Sequence, residues 1–148
     1  RNPDIIRGGA EAFGTQCIVL STQVKRVGVR EGIPSGYEVF IDGARTATGL
    51  DAREWVRRGA DLGAGEIVVN SIDADGTAAG YELAITRAVA DAVNVPVIAS
   101  GGVTTLADIE ALMGLVPAGV EGAIAGTALY EGRFTLEDAL ALTKGTRA

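Results

Sequence analysis

Residues Glu66–Gly80 read EIVVNSIDADGTAAG. Glu66 to Asn70 form a short apolar run of the kind found in a strand buried on both faces. The run stops at two aspartates, a glycine and a threonine, and a helical pattern begins near Tyr81. Asp73 and Asp75 are thereby predicted on the loop beyond a strand's carboxyl end, where parallel α/β folds carry their chemistry. The next strand repeats the layout: Pro96 to Ser100, then Gly101-Gly102-Val103-Thr104-Thr105, then another helix. An acidic loop beside a glycine loop at neighbouring strand ends suits a phosphorylated small molecule.

The chain has 148 residues, which predicts a single domain over 1–148 with room for a proper core. Its 47% hydrophobic content and mean hydropathy of +0.26 argue against disorder. Twenty-one glycines beside three Phe, three Tyr and one Trp suit an α/β protein with tight loops and aliphatic strands. A net charge of −6 argues against nucleic acid and anionic membranes as partners. The chain has no histidine, which rules out His-based acid/base chemistry, a catalytic triad and the usual zinc site. No metal and no cofactor are expected. The lone Cys17, inside CIVL, is expected to be a small buried hydrophobe. With no disulfide framework, no long apolar span and no signal peptide at its start, the chain is expected in the cytoplasm.

Asn2-Pro3-Asp4 starts a helix predicted over 3–13 and stopped by Gly14. Gln16 to Ser21 is predicted as the first strand. A long polar loop follows over 24–49, with a hairpin at Tyr37 to Ile41 and Asp42-Gly43. A helix from Asp51 to Leu62 comes next, with Trp55 anchoring it against the sheet. Three further strand–helix units are predicted: Glu66–Asn70 with Tyr81–Val93, Val97–Ser100 with Leu106–Leu115, and Ala123–Ala125 with Leu136–Thr143. Four βα units in 148 residues make half of a (βα)8 barrel, which typically needs about 250 residues. The predicted class is therefore α/β, a (βα)4 half of a TIM-type barrel with parallel strands. Its two open edges and apolar inner face predict completion by association, most simply as a homodimer.

The segments NPDII, FGTQCIVLS, VKRV, DAREWVRRGADLGAGEIVVNSIDADGT and VPVIASGG resemble the C-terminal half of the cyclase subunit of imidazole glycerol phosphate synthase, a histidine-biosynthesis (βα)8 barrel. From about Val103 onward, TTLADIEALMGLVPAGVEGAIAGTALYEGRFTLEDALAL is more similar to the sister isomerase acting on phosphoribosyl-formimino-carboxamide ribotide. Both sisters bind a ligand with a phosphate at each end. The resemblance implies that Asp75 is the general acid/base and that Asn70 helps orient ligand. It further implies a phosphate site built from Ser100, Gly101 and Gly102 with Gly126 and Thr127. Lys25 and Arg26 are either a reach to a second phosphate or solvated loop charges. Glu66 matches a barrel-floor position that meets a glutaminase partner, although a plain surface role is equally expected for it. Asp73 is expected to hold the loop through backbone N–H groups.

Two departures weaken the expected chemistry. Gln23 stands where both sisters carry a functional aspartate, and glutamine cannot accept and hand on a proton near pH 7. The family's N-terminal half, with its own catalytic aspartate, has no counterpart in this sequence. Three readings stay open at this point. One is a phosphate-ester-binding remnant of lyase type with little or no native activity. Another is a self-assembling structural half-barrel, natural or engineered. The last is a half that pairs with a separate N-terminal chain.

Overall fold

The structure, a computed structural model, describes residues 2–77 and 79–144. Helix α1 (Asp4–Phe13) leads into a 3-10 turn at Thr15–Cys17 and then strand β1 (Val19–Arg26). The hairpin β2 (Tyr37–Ile41) and β3 (Thr46–Asp51) precedes α2 (Ala52–Asp61). Then come β4 (Glu66–Ser71), α3 (Leu83–Ala90), β5 (Val97–Ser100), α4 (Leu106–Met113), β6 (Val120–Ile124), α5 (Thr127–Tyr130) and α6 (Leu136–Thr143). One sheet holds all six strands in the order β3-β2-β1-β4-β5-β6. The β1–β4, β4–β5 and β5–β6 pairs are parallel, and the hairpin adds two antiparallel pairs at one edge.

The outer face of the sheet carries the core. Val24, Ile67, Val69, Val97, Ala99 and Val120 are buried there together with Val56 of α2, Ile85 and Val89 of α3, and Ile109 and Leu112 of α4. Burying each large aliphatic side chain contributes about 1.5–3 kcal/mol, so this face dominates the stability. Local signals set the helices on it. The Asp51 carboxylate caps α2 by accepting the N–H groups of Arg53 and Glu54. Capping boxes start α4 at Thr105–Asp108 and α6 at Thr135–Asp138.

The inner face differs from the sequence expectation. Residues of β4 alternate, with Ile67, Val69 and Ser71 buried but Glu66, Val68 and Asn70 only half-buried, so the strand is not sealed on both sides. Val19 stays 49% exposed and Ile124 46%. Other boundaries move as well. Strand β1 starts at Val19 and runs to Arg26, because the segment predicted as its start is a tight turn under Gly65. A Cβ on Gly65 would collide with the Thr15 carbonyl, and Gly65 N–H donates to Ile18 O at 2.9 Å. Cys17 sits on that turn and is exposed, which corrects its expected burial. Strand β6 begins earlier than predicted, and the short helix α5 carries no sequence signal of its own.

Candidate active site at the strand ends

Register lines up the inner-face side chains at the carboxyl ends of the strands. Gln23 pairs with Asn70, Asn70 with Ser100, and Ser100 with Ile124, making one row across β1, β4, β5 and β6. The loops that follow those positions close over the row and form a cleft of about 480 Å³. All seven residues singled out from the sequence line it: Asp75, Asn70, Ser100, Gly101, Gly102, Gly126 and Thr127. Gln23, Val103, Ala128, Glu131 and Arg133 line it too.

The Asp75 loop is built as a rigid bracket. Asp75 N–H donates to Ser71 O at 2.9 Å, and the Thr77 hydroxyl and N–H both donate to Ala74 O. Asp73 turns the other way, accepting Arg26 N–H at Oδ2 (2.7 Å), so the two loop aspartates separate into a structural one and one in the cleft. Beside them, Glu82 gathers a polar network. Its carboxylate accepts from the Ser71 hydroxyl (2.5 Å), the Tyr37 hydroxyl (3.1 Å) and the Arg26 guanidinium (2.7 Å). Burial pushes the Glu82 carboxyl up, but hydrogen bonds from Ser71, Arg26 and Tyr37 outweigh it and hold the carboxyl below its ordinary value. Arg26 also lies over the Tyr37 ring, 5.3 Å from its centroid. It is a structural cation, and Lys25 rests over Phe40 at 5.7 Å. Neither side chain lines the cleft.

On the opposite side the backbone is less satisfied. The N–H groups of Gly102, Val103, Thr127 and Ala128 donate to no group among the described residues. Gly102 has φ +92°, and a Cβ there would collide with Gly80 O and stand 2.9 Å from Ala74 Cβ. Its own carbonyl accepts Gly80 N–H at 2.8 Å. Glycine is therefore required at 102 by the loop packed against it, whatever occupies the cleft. Gly126 is different: a Cβ there meets nothing within 4 Å. The start of α4 is already engaged by a carboxylate. Asp108 accepts the Thr104 and Thr105 N–H groups at 2.9 and 2.8 Å, which moves the open donors back to Gly102 and Val103. Burial pushes the Asp108 carboxyl up, but those N–H bonds bring it below its ordinary value. Tyr81 ties the two loops together, its hydroxyl donating to Ile124 O at 3.1 Å. Burial, with the nearby Asp108 charge, pushes that phenol up to about 12.

Gln23 has a structural occupation that its sequence context did not announce. Its Oε1 accepts Ala44 N–H at 2.9 Å, pinning the hairpin tip, where Ala44 takes φ +66°. Glu131 and Arg133 are the cleft residues that motif reading passed over. Only the string YEGR after the last strand hinted at them.

A parallel sheet with helices on its outer face, and a cleft at the carboxyl ends of its strands, defines a partial barrel of the TIM type. The chain belongs to the family described as histidine biosynthesis protein, whose profile matches residues 1–135. It is 60% identical over 109 residues to the imidazole glycerol phosphate synthase subunit HisF of Desulforapulum autotrophicum, covering 74% of this chain and 42% of that protein. The same-named subunit of Solidesulfovibrio magneticus is 64% identical over 102 residues, covering 69% of this chain and 39% of the relative. That of Oleidesulfovibrio alaskensis is 49% identical over 138 residues, covering 93% and 52%. The chain thus spans about half the length, or less, of the curated relatives it matches. Among the described residues no helix is long and apolar enough to cross a membrane.

Proposed function

We propose that this chain is a phosphate-ester-binding (βα)4 half of a histidine-biosynthesis barrel, holding its ligand's phosphate between the Gly102 and Thr127 loops. The observation that carries this is the group of N–H donors without acceptors among the described residues, those of Gly102, Val103, Thr127 and Ala128 included, on two neighbouring loops of one cleft. A tetrahedral anion accepts several such donors at once, and backbone N–H concavities favour negative charge. With the phosphate there, the carbon skeleton of the ester extends along Ser100, Asn70 and Gln23, and Asp75 lies beside it as the acid/base. Gln23 holds Ala44 and does not titrate, so turnover by the chain alone is undetectable or weak. The relatives' name, imidazole glycerol phosphate synthase subunit, supports a substrate of that kind; a cytoplasmic setting and a glutaminase subunit as partner are what the sequence resemblance adds to this proposal.

The test is calorimetric titration with inorganic phosphate and glycerol phosphate at fixed ionic strength. Saturable binding is expected, abolished by Gly126→Asp, which adds a carboxylate at the cleft on a Cβ that meets nothing within 4 Å. Binding that survives Gly126→Asp undiminished would remove the phosphate from these loops.

The open inner face favours a second reading, a self-assembling half-barrel. Val19–Thr22 of β1 pair with β4 but with no strand on their other side among the described residues, and Val19 and Ile124 remain exposed. Two copies related by a two-fold axis would close eight strands and cover these side chains. Sedimentation velocity at micromolar concentration is expected to give a dimer; a well-folded monomer would sink the closure.

A further inference from the structure

Helix α5 ends at Tyr130, and the chain turns through Glu131, Gly132 and Arg133 before Phe134 enters the core. The turn is fixed by its own backbone: Gly132 N–H donates to Leu129 O at 3.1 Å and Arg133 N–H to Ala128 O at 2.9 Å. Phe134 anchors it, only 7% exposed. Both charged side chains therefore start from a defined place on the cleft wall. Arg133 Nε donates to Glu131 Oε2 at 2.7 Å, and the pair stays 42% and 50% exposed. Among the described residues lining the cleft, Arg133 is the one cation; Asp75 and Glu131 are the carboxylates.

We propose that Arg133 is the side-chain anchor of the ligand's phosphate, and that Glu131 is a built-in competitor which makes the cleft select dianions. This rests on the phosphate-ester reading of the cleft and adds to it the charge state the cleft accepts. Exposed ion pairs contribute little, so Arg133 leaves Glu131 at small cost. Its guanidinium has five N–H donors in a fork, and Nε alone is engaged by Glu131. A ligand carboxylate would merely replace one monoanion by another. A phosphate dianion gains charge in the exchange and accepts two parallel N–H bonds. The neutral backbone donors opposite cannot make that distinction with the same force.

The experiment is calorimetric titration of the full chain with inorganic phosphate, in the parent, Arg133→Gln, Glu131→Gln and Gly126→Asp. Each titration is repeated between pH 5 and 8, with sulfate as a probe that is dianionic throughout. Arg133→Gln is expected to weaken phosphate about 10-fold or more, the loss of one charge-assisted fork. Glu131→Gln is expected to tighten it about 3-fold, since an exposed pair is worth less than a factor of ten. Parent affinity for phosphate is expected to rise through about pH 7, where inorganic phosphate, less acidic than a phosphate ester, gains its second charge, while sulfate affinity stays level. Both side chains are exposed, so melting temperatures should stay at the parent value and report that folding is intact. If Arg133→Gln and Glu131→Gln bind like the parent while Gly126→Asp does not bind, the anchor is refuted and the backbone site stands. Weaker binding by Glu131→Gln refutes the competitor. A parent that binds neither phosphate nor sulfate overturns this inference and the reading beneath it together.

Discussion

Along the β1–β2 side of the rim, the Glu82 carboxylate collects hydrogen bonds from Ser71, Tyr37 and Arg26, and Asp73 accepts from Arg26 N–H. Along the β5–β6 side, the N–H groups of Gly102, Val103, Thr127 and Ala128 donate to nothing among the described residues. The two sides sit on one sheet at the same strand level, so the difference is not one of burial alone. Polar groups that fix the loops are matched to one another, and these backbone N–H groups at the cleft are left open. An unmatched donor in a fold is a cost unless solvent or a ligand supplies the acceptor. The contrast separates the residues that build the rim from those whose N–H groups stay open to the cleft.

The contrast can be broken from its most rigid point first. Gly102→Ala is expected to destabilise the chain by about 4 kcal/mol, summing a positive-φ penalty and an unrelieved clash with backbone. Gly80 O and Ala74 both stand in the way of a Cβ, and neither is the end of a flexible side chain. A chemical denaturation midpoint close to the parent's would mean that the 80 loop yields, and that the bracket is softer than described. Glu82→Ala removes the hub of the matched side. It leaves the buried Ser71 hydroxyl without its acceptor and is expected to cost about 3 kcal/mol. Phosphate affinity should move far less than stability in this variant, since Glu82 does not line the cleft.

Acid weakens the hydrogen-bonded carboxylates of both sides gradually. The carboxyls of Glu82, Asp51 and Asp108 are each pushed up by burial, yet held below their ordinary values by the hydrogen bonds they accept. The native state thus binds fewer protons than the unfolded chain near and below pH ~4. Their contribution is complete above the unfolded values and is lost as pH falls through the lower folded ones. Melting temperature should therefore be flat from pH 7 to 5 and decline below about 4. Tyr81 acts in the opposite sense at the alkaline end. Its phenol, raised to about 12, contributes stability that is complete below the unfolded value and lost as pH rises towards 12.

The smallest expected effect is at the β1 end of the row. Gln23→Asp shortens the side chain by a methylene and gives up the bond to Ala44 N–H, costing about 1 kcal/mol. The same change puts a titratable group into the cleft that Asp75 also lines. A rise in cyclase or isomerase turnover that Asp75→Asn then removes would show that these two positions work together. A variant as stable as the parent would mean that the Gln23–Ala44 bond carries no weight.

Much of this rim was legible before any coordinates. The runs EIVV and PVIAS each end in loop residues that neither strand nor helix accommodates, so DADGT and GGV could only be strand-end loops. The strand register then brings those loops together without any special contact having to be guessed. What the sequence hid depends on contacts distant along the chain. Gln23 reads as a lost carboxylate, and only the folded hairpin, 21 positions away, shows what its amide holds. Cys17 reads as core because its neighbours are apolar, yet the close approach of Gly65 turns that segment outward. Glu131 and Arg133 reach the cleft through α5, a four-residue helix too short to impose a periodicity on its sequence.

The most direct test of the division between matched and open polar groups is an amide-resolved NMR titration with inorganic phosphate. Saturable shifts are expected, concentrated at the N–H groups of Gly102, Val103, Thr127 and Ala128, with the Arg26–Ser71–Glu82 side unmoved. Shifts that never saturate, or that saturate on the Arg26 side while those four amides stay in place, would contradict that division.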